Sequence, residues 1–308
     1  MTVKRAVRPT NRMRYIKREF PLHMMMIPGV IALLVFHYYP MYGNVMAFQD
    51  FKAGLGFWHS PFVGLKHFRT LFALPNIASV FYNTVSIAVM KIGFGMLAAI
   101  VTALMLNEVR NNALRRSVQT VIYLPHFLSW VILGSIFTTM FGNAGVVNRL
   151  LEGIGMQGVF FLGDNKAFRA LLIVTDVWKN VGFGTIVYLA AITGIDPSLY
   201  EAAVMDGAGR LRQTWHVTLP GMRSIIVLMM VLDLGKLLNA GFDQIFNMYN
   251  TVVMDGSDIL DTLVYRLGMQ SAKFSLATAV GLLKSVVSFF LIGTSYYAAY
   301  RFADYRIF

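Results

Sequence analysis

Two sets of residues in this chain have chemistry to offer. The first is the histidines: His23, His37, His59, His67, His126 and His216. They are scattered, and none stands at ligand spacing from another. The sequence contains no HExxH pair and no GxSxG elbow, so zinc-protease and serine-hydrolase sites of those kinds are excluded. It has no GxxxxGK[ST] run to cradle nucleotide phosphates. With no cysteine, thiolate metal sites and disulfides are also excluded. The second set is the charges inside apolar runs: Lys91, Lys179, Lys236 and Lys284 against Asp176 and Asp233. A charge in such a place is costly unless it faces a partner or an aqueous cavity. Asp176 and Lys179 are three residues apart, as are Asp233 and Lys236, so each pair can share one helix face and form an internal ion pair. Asn180 follows the first pair, and Asn239 continues the face of Lys236. Two readings stand. The pairs tie helices together, or they line a polar pathway in which Trp130 or Trp178 offers a ring face to a passing solute. Four lysines against two aspartates leave a positive surplus suited to an acidic solute.

The elements that position these residues are apolar helices. The 308 residues are 56% hydrophobic and 14% charged, where soluble domains carry about 25% charged residues. Six runs are near or above the ~20 residues that cross a bilayer as helix: 22–41, 77–106, 118–141, 169–192, 225–241 and 274–300. Lys4, Arg5, Arg8, Arg12, Arg14, Lys17 and Arg18 face only Glu19 in the head, a bias that places the N-terminus in the cytoplasm. Arg110, Arg115 and Arg116 mark a second cytoplasmic loop, Arg210, Arg212 and Arg223 a third, and Arg301 with Arg306 the cytoplasmic tail. The loops 48–76, 142–168 and 242–273 then lie outside. The net charge of +12 serves orientation rather than nucleic-acid binding. Pro125 predicts a kink or a broken start in the third run, because proline removes a backbone donor. Gly93, Gly95, Gly182 and Gly184 are expected to let helices approach closely. The organisation is a basic segment at 1–20 and an all-α membrane domain at 21–308.

One polar interruption has internal order: residues 201–220, EAAVMDGAGRLRQTWHVTLP. Asp196 and Pro197 suit a helix start. A helix over 199–205 follows, Gly207 and Gly209 permit the positive φ that stops it, and Pro220 ends a second short run. The product is a compact helix–turn–helix on the aqueous side.

Glu201-Ala202-Ala203, then Gly207 after three residues, then Val217-x-Leu219-Pro220 after nine more, resembles the EAA loop of permease subunits of binding-protein-dependent ABC importers. Valine at 217 replaces the family's isoleucine. The runs PMYG from Pro40, GLKHF from Gly64 and YLPHFLSW from Tyr123 resemble the oligosaccharide and polysaccharide permeases of that family. The resemblance covers nearly the whole chain. It implies the type I importer fold, a place in the inner (plasma) membrane, and a coupling loop at 194–224 that docks in a groove of a cytoplasmic ATPase. Glu201, Ala202, Ala203, Asp206, Gly207, Val217, Leu219 and Pro220 would form that contact, with Glu201 accepting hydrogen bonds from basic neighbours. It also implies a second permease chain, two ATPase subunits that hold ATP and magnesium, and an extracytoplasmic protein that delivers the sugar. This chain itself would bind no cofactor and catalyse no reaction. A secondary transporter using Asp176 or Asp233 as coupling carboxylate is the main rival, ahead of a membrane enzyme and an exporter half.

Overall fold

The computed structural model describes residues 12–303, and among them the regular structure is helical, with one isolated bridge between Gln49 and Phe62. Lys4, Arg5, Arg8 and Arg306 of the basic ends lie outside the described residues. Five helical stretches are long and apolar enough to cross a membrane: Phe20–Phe48, Ile77–Glu108, Asn165–Thr193, Arg210–Leu234 and Phe274–Tyr297. We label the helices α1 (Arg12–Leu33), α2 (Ile77–Glu108), α3 (Asn112–Tyr123), α4 (Trp130–Met140), α5 (Asn165–Thr193), α6 (Pro197–Met205), α7 (Leu219–Leu234), α8 (Phe242–Met248), α9 (Leu260–Tyr265) and α10 (Phe274–Ala303).

The third run departs from a single crossing. Asn112–Phe127 and Trp130–Met140 meet at 99°. Pro125 closes the first limb in a tight 3₁₀ turn, and the Ser129 side chain caps the second by accepting from the Ile132 amide. The break predicted at Pro125 is therefore a full corner. The fifth run is shorter than its hydropathy implies. α7 stops at Leu234, and successive tight turns carry the chain through Lys236 and Asn239 to Gly241. Gly241 takes φ +92°, which only glycine adopts readily. Lys236 and Asn239 thus sit on a turn, not on the helix face expected of them.

α2 and α5 form the centre of the bundle. At one end Ala99, Ala103, Tyr188, Ile192 and Met222 join α2, α5 and α7 in a buried cluster. At the other end Ile87, Phe168, Leu172, Ala240, Ile245 and Met248 form a larger one. Gly182 allows α5 to press against the Ile122 carbonyl of α3, where an added Cβ would overlap backbone. At Gly184 an added Cβ would stand 3.3 Å from Ala99. Gly93 and Gly95 face open space, so the close-packing role expected of all four glycines holds for two. α1 and the helical turns that continue it stay apart, and the large apolar residues from Phe20 to Tyr42 are exposed.

A polar cavity at the bundle centre and an exposed connecting segment

Between the two clusters lies a cavity of about 480 Å³. Helical spacing builds its walls. Ala88, Lys91, Ile92, Gly95, Met96 and Ala99 form one stripe of α2, and Asp176, Asn180, Phe183, Gly184 and Tyr188 form one stripe of α5. Met229 and Asp233 of α7, the turn residues Lys236 and Asn239, and His126 at the corner complete it. Five of the seven pathway candidates therefore meet here: Asp176, Asn180, Asp233, Lys236 and Asn239. Lys179 and Trp130 do not line it.

The charges are paired differently from the expected three-residue steps. Asp176 meets Lys91 across the helix pair at 3.6 Å. Lys91 is buried, and its Nζ donates to the Ala240 carbonyl (2.8 Å) and to Gln244 Oε1. Gln244, fully buried, donates its amide to the Leu172 carbonyl (2.7 Å) and to Thr175 Oγ1 (2.8 Å). Gly241 is required beside this knot, since an added Cβ would lie 2.7 Å from Lys91 Nζ. A buried charge survives only when its donors are matched, and here acceptors from three segments match one lysine. Gln244 was missed by sequence reading because it falls in what reads as an external loop.

Lys179 answers a separate need. Pro125 leaves carbonyls of the corner without helical partners, and Lys179 Nζ donates to His126 O (2.6 Å) and Pro125 O (3.3 Å). The same ammonium stands 5.7 Å from the Trp130 ring centroid. Asp176 and Lys179 therefore form no ion pair, and neither do Asp233 and Lys236 among the described residues. Lys284 leaves the count as well, because it pairs at 2.6 Å with Asp261 of α9. The cavity lining holds Lys91 and Lys236 against Asp176 and Asp233. The lysine surplus expected from the sequence is absent from the cavity.

The segment between α5 and α7 follows the expected order with two corrections. Asp196 caps α6 by accepting from the Ser198 amide at 2.9 Å, and this hydrogen bond holds its carboxyl below the ordinary carboxylate range. Gly207, at φ +74°, ends the helix, with its amide on Val204 O and that of Ala208 on Ala203 O. Gly209 is in an extended conformation, so one glycine carries the turn. Pro220 does not end the second run. Arg210–Gln213 passes through a π-helical turn at Thr214–Thr218 into α7, and Pro220, which has no backbone N–H to donate, follows directly on that turn.

Few contacts hold this segment to the bundle. Tyr200 and Thr218 share a hydrogen bond of 3.0 Å, and Arg210 pairs with Glu108 at the end of α2. Glu201, Ala202, Asp206, Gly207 and Pro220 are exposed, while Ala203, Val217 and Leu219 are half-buried. Among the described residues Glu201 accepts no hydrogen bond from a basic neighbour; Arg210 is taken by Glu108. Met205 is 87% exposed, Leu211 79% and Trp215 67%. Three large apolar side chains on one short exposed segment mark a surface built to be covered.

A polar cavity between bent and continuous apolar helices, with an exposed connector between two of them, is the arrangement of a membrane-embedded permease. The chain belongs to the family described as the binding-protein-dependent transport system inner membrane component, whose model matches residues 91–307. It is therefore a multi-pass protein of the inner membrane. It is 41% identical to the protein LplB of Bacillus subtilis (strain 168), over 96% of this chain and 93% of that one. It is 42% identical to the polygalacturonan/rhamnogalacturonan transport system permease protein YteP of the same organism, over 93% of this chain and 90% of that one. In structure it is similar to a chain of a bacterial ABC transporter involved in the import of the acidic polysaccharide alginate. The TM-score is 0.87 at 37% identity, covering 94% of this chain and 98% of that one. A chain of a bacterial alginate ABC transporter in complex with an alginate pentasaccharide-bound periplasmic protein gives a TM-score of 0.86 at 37% identity, covering 94% of this chain and 96% of that one.

Proposed function

We propose that this chain is the membrane-spanning subunit of an ATP-driven importer for acidic oligosaccharides, fragments of uronate-containing polysaccharides. The observation that carries the reading is that two relatives, matched over nearly the full chain, are named for acidic polysaccharides. The cavity charges do not carry it, since they are balanced. The chain pairs with a second permease. Two separate ATPase subunits bind ATP and magnesium, and an extracytoplasmic binding protein delivers the sugar. The exposed segment with Glu201, Met205 and Leu211 faces the cytoplasm and seats in an ATPase groove. Closure of the ATPases moves it, and α5 and α7, which it joins directly, pass the motion to the cavity walls. The N- and C-termini share that side.

The test is reconstitution of the whole complex in vesicles with a loaded binding protein. A galacturonate trisaccharide should enter in an ATP-dependent manner and maltotriose should not. Entry of maltotriose alone would remove the acidic substrate. Uptake without ATPase subunits would favour the ion-coupled reading, with Asp233 as the carboxylate left free of an ion pair.

A further inference from the structure

A smaller cleft, of about 280 Å³, lies between α2 and α5 at the end of α5 opposite the connecting segment. Asn165, Lys166 and Arg169 line it at the helix end, and Met90, Ala170 and Ile173 line the rest. Lys166 and Ile173 are about 10 Å apart along the helix axis, so two cations stand at one level with apolar side chains toward the bilayer centre. Arg169 is held in place by neutral groups. Its Nη2 donates to Asn83 Oδ1 (2.6 Å) and to the Gly256 carbonyl (2.9 Å), and its guanidinium lies 5.6 Å from the Tyr82 ring centroid. Its buried Nε has no hydrogen-bond partner among the described residues.

No carboxylate answers either cation among the described residues, where the ion pairs are those of Lys91, Arg210, Arg266 and Lys284. Asp164 is nearby, but its Oδ2 caps α5 by accepting from the Ala167 amide at 2.7 Å. Asp255 is exposed and lends Asn83 only its backbone carbonyl, at 2.8 Å. Orientation gives no reason for the two cations either. In the arrangement proposed above this end faces outward, and the charge bias of membrane proteins favours lysine and arginine at the other end. Apolar surface continues past the cleft, with Val89 and Val174 exposed. A soluble anion would leave that groove uncovered, and a zwitterionic lipid brings its own cation beside its phosphate. An anion that carries a hydrocarbon chain answers both halves of the cleft.

We infer that this cleft binds an anionic phospholipid, with the headgroup phosphate on Lys166 and Arg169 and an acyl chain along Met90, Ala170 and Ile173. Charge complementarity at the membrane surface selects this occupant. The lipid would bridge α2 and α5 beside Gly256, stabilising one end of the helix pair that lines the central cavity. The site rests on the membrane location of the chain alone, so it stands or falls apart from the transport reading.

The test uses the purified full-length protein, with whatever subunits accompany it, in phosphatidylcholine nanodiscs holding a rising fraction of phosphatidylglycerol. The wild-type melting temperature should rise with phosphatidylglycerol and then saturate. K166Q should need about fivefold more phosphatidylglycerol to reach the midpoint of that rise, the loss of one cation near a charged headgroup. K166R should stay near wild type. A170W fills the groove without touching a charge and should abolish the rise. Lys166 and Ala170 are both exposed, so all three variants should melt like wild type in phosphatidylcholine alone. Unchanged midpoints in both K166Q and A170W would overturn the site. An equal rise with inorganic phosphate in pure phosphatidylcholine would show a soluble-anion site and overturn the lipid. Loss of a second protein chain from K166Q or A170W, with the phosphatidylglycerol response intact, would make this face a protein interface and overturn it too.

Discussion

The knot around Lys91 and the segment from Asp196 to Pro220 are both polar interruptions of apolar helices, and they are built in opposite ways. In the knot every strong donor is answered inside the chain. Lys91 meets Ala240, Gln244 and Asp176, while Gln244 meets Leu172 and Thr175. The connecting segment reaches the bundle by Arg210 with Glu108, while Asp196, Tyr200 with Thr218, Gln213 and His216 make their side-chain hydrogen bonds within the segment itself. Its apolar side chains point outward. The difference assigns the two regions different work. A self-satisfied knot holds one arrangement of α2, α5 and the Gly241 turn at one end of the cavity. In the importer proposed above, a stiff helix with an unanswered surface receives its partner, and its motion, from outside.

The sharpest way to break the comparison is to remove the centre of the knot. Gln244→Leu strips Lys91 of an acceptor and removes the amide donor that Thr175 Oγ1 and the Leu172 carbonyl share. Loss of a partner to a buried charge costs about 3 kcal/mol. The purified protein should melt several degrees lower, and its uptake should fall with the folded fraction. An unchanged melting temperature would mean that the knot is not the structural clamp described above.

The connecting segment should give the reverse pattern. Gly207→Pro forces φ to about −65° where the backbone stands at +74°. Glu201→Lys reverses the charge on an exposed face. Both proteins should insert and melt like wild type, because little packing depends on these residues. Coupled uptake should fall tenfold or more, while ATP hydrolysis becomes independent of the loaded binding protein. Wild-type uptake by both would dissolve the contrast between the two regions.

How much of each region was legible beforehand follows from the range of the interactions that build it. The connecting segment is local. A cap, a helix, a left-handed glycine and a proline lie within 25 residues, so their order could be read directly, and only Gly209 and Pro220 were misassigned. The knot is not local. Lys91 and Gln244 are separated by 153 positions. The three-residue step from Asp176 to Lys179 offered a nearer pairing that the fold rejects. Lys179 was drawn to carbonyls freed by Pro125, and Asp176 to a lysine on another helix. The end of α7 at Leu234 was hidden because Leu237, Leu238 and Ala240 continue the apolar run without continuing the helix. His126 is the residue whose signal was present and underweighted: it is a polar side chain directly after a proline inside an apolar span.

A finer cut at the knot is Gly241→Ala. The backbone there stands at φ +92°, and the new Cβ would press on Lys91 Nζ at 2.7 Å. Strain of this kind costs about 1–3 kcal/mol. The melting temperature should fall by less than for Gln244→Leu, and uptake should slow because the turn carrying Lys236 and Asn239 shifts. No fall in the melting temperature would place the rigidity of this end elsewhere.

The smallest effect belongs to the cap of the connecting helix, and pH reaches it. The Asp196 carboxylate accepts the Ser198 amide in the folded segment, so its pKa there lies below the ordinary value of 3.8. A depressed folded pKa means that the cap stabilises α6 fully above the unfolded value and that this is lost as pH falls through the folded one. Between neutral pH and about 5 the segment should therefore be unaffected, and at pH 3 and below the amides of Ser198 and Leu199 should exchange faster relative to the rest of α6. Asp196→Ala should show the faster pattern at every pH, and Asp196→Asn, which still offers an oxygen, should lose the pH response while keeping most of the protection. The amides of the Lys91 knot, which owe nothing to this carboxylate, should not follow. Faster exchange at both places together would mean that acid loosens the whole bundle, and that the cap is not separable from the core it adjoins.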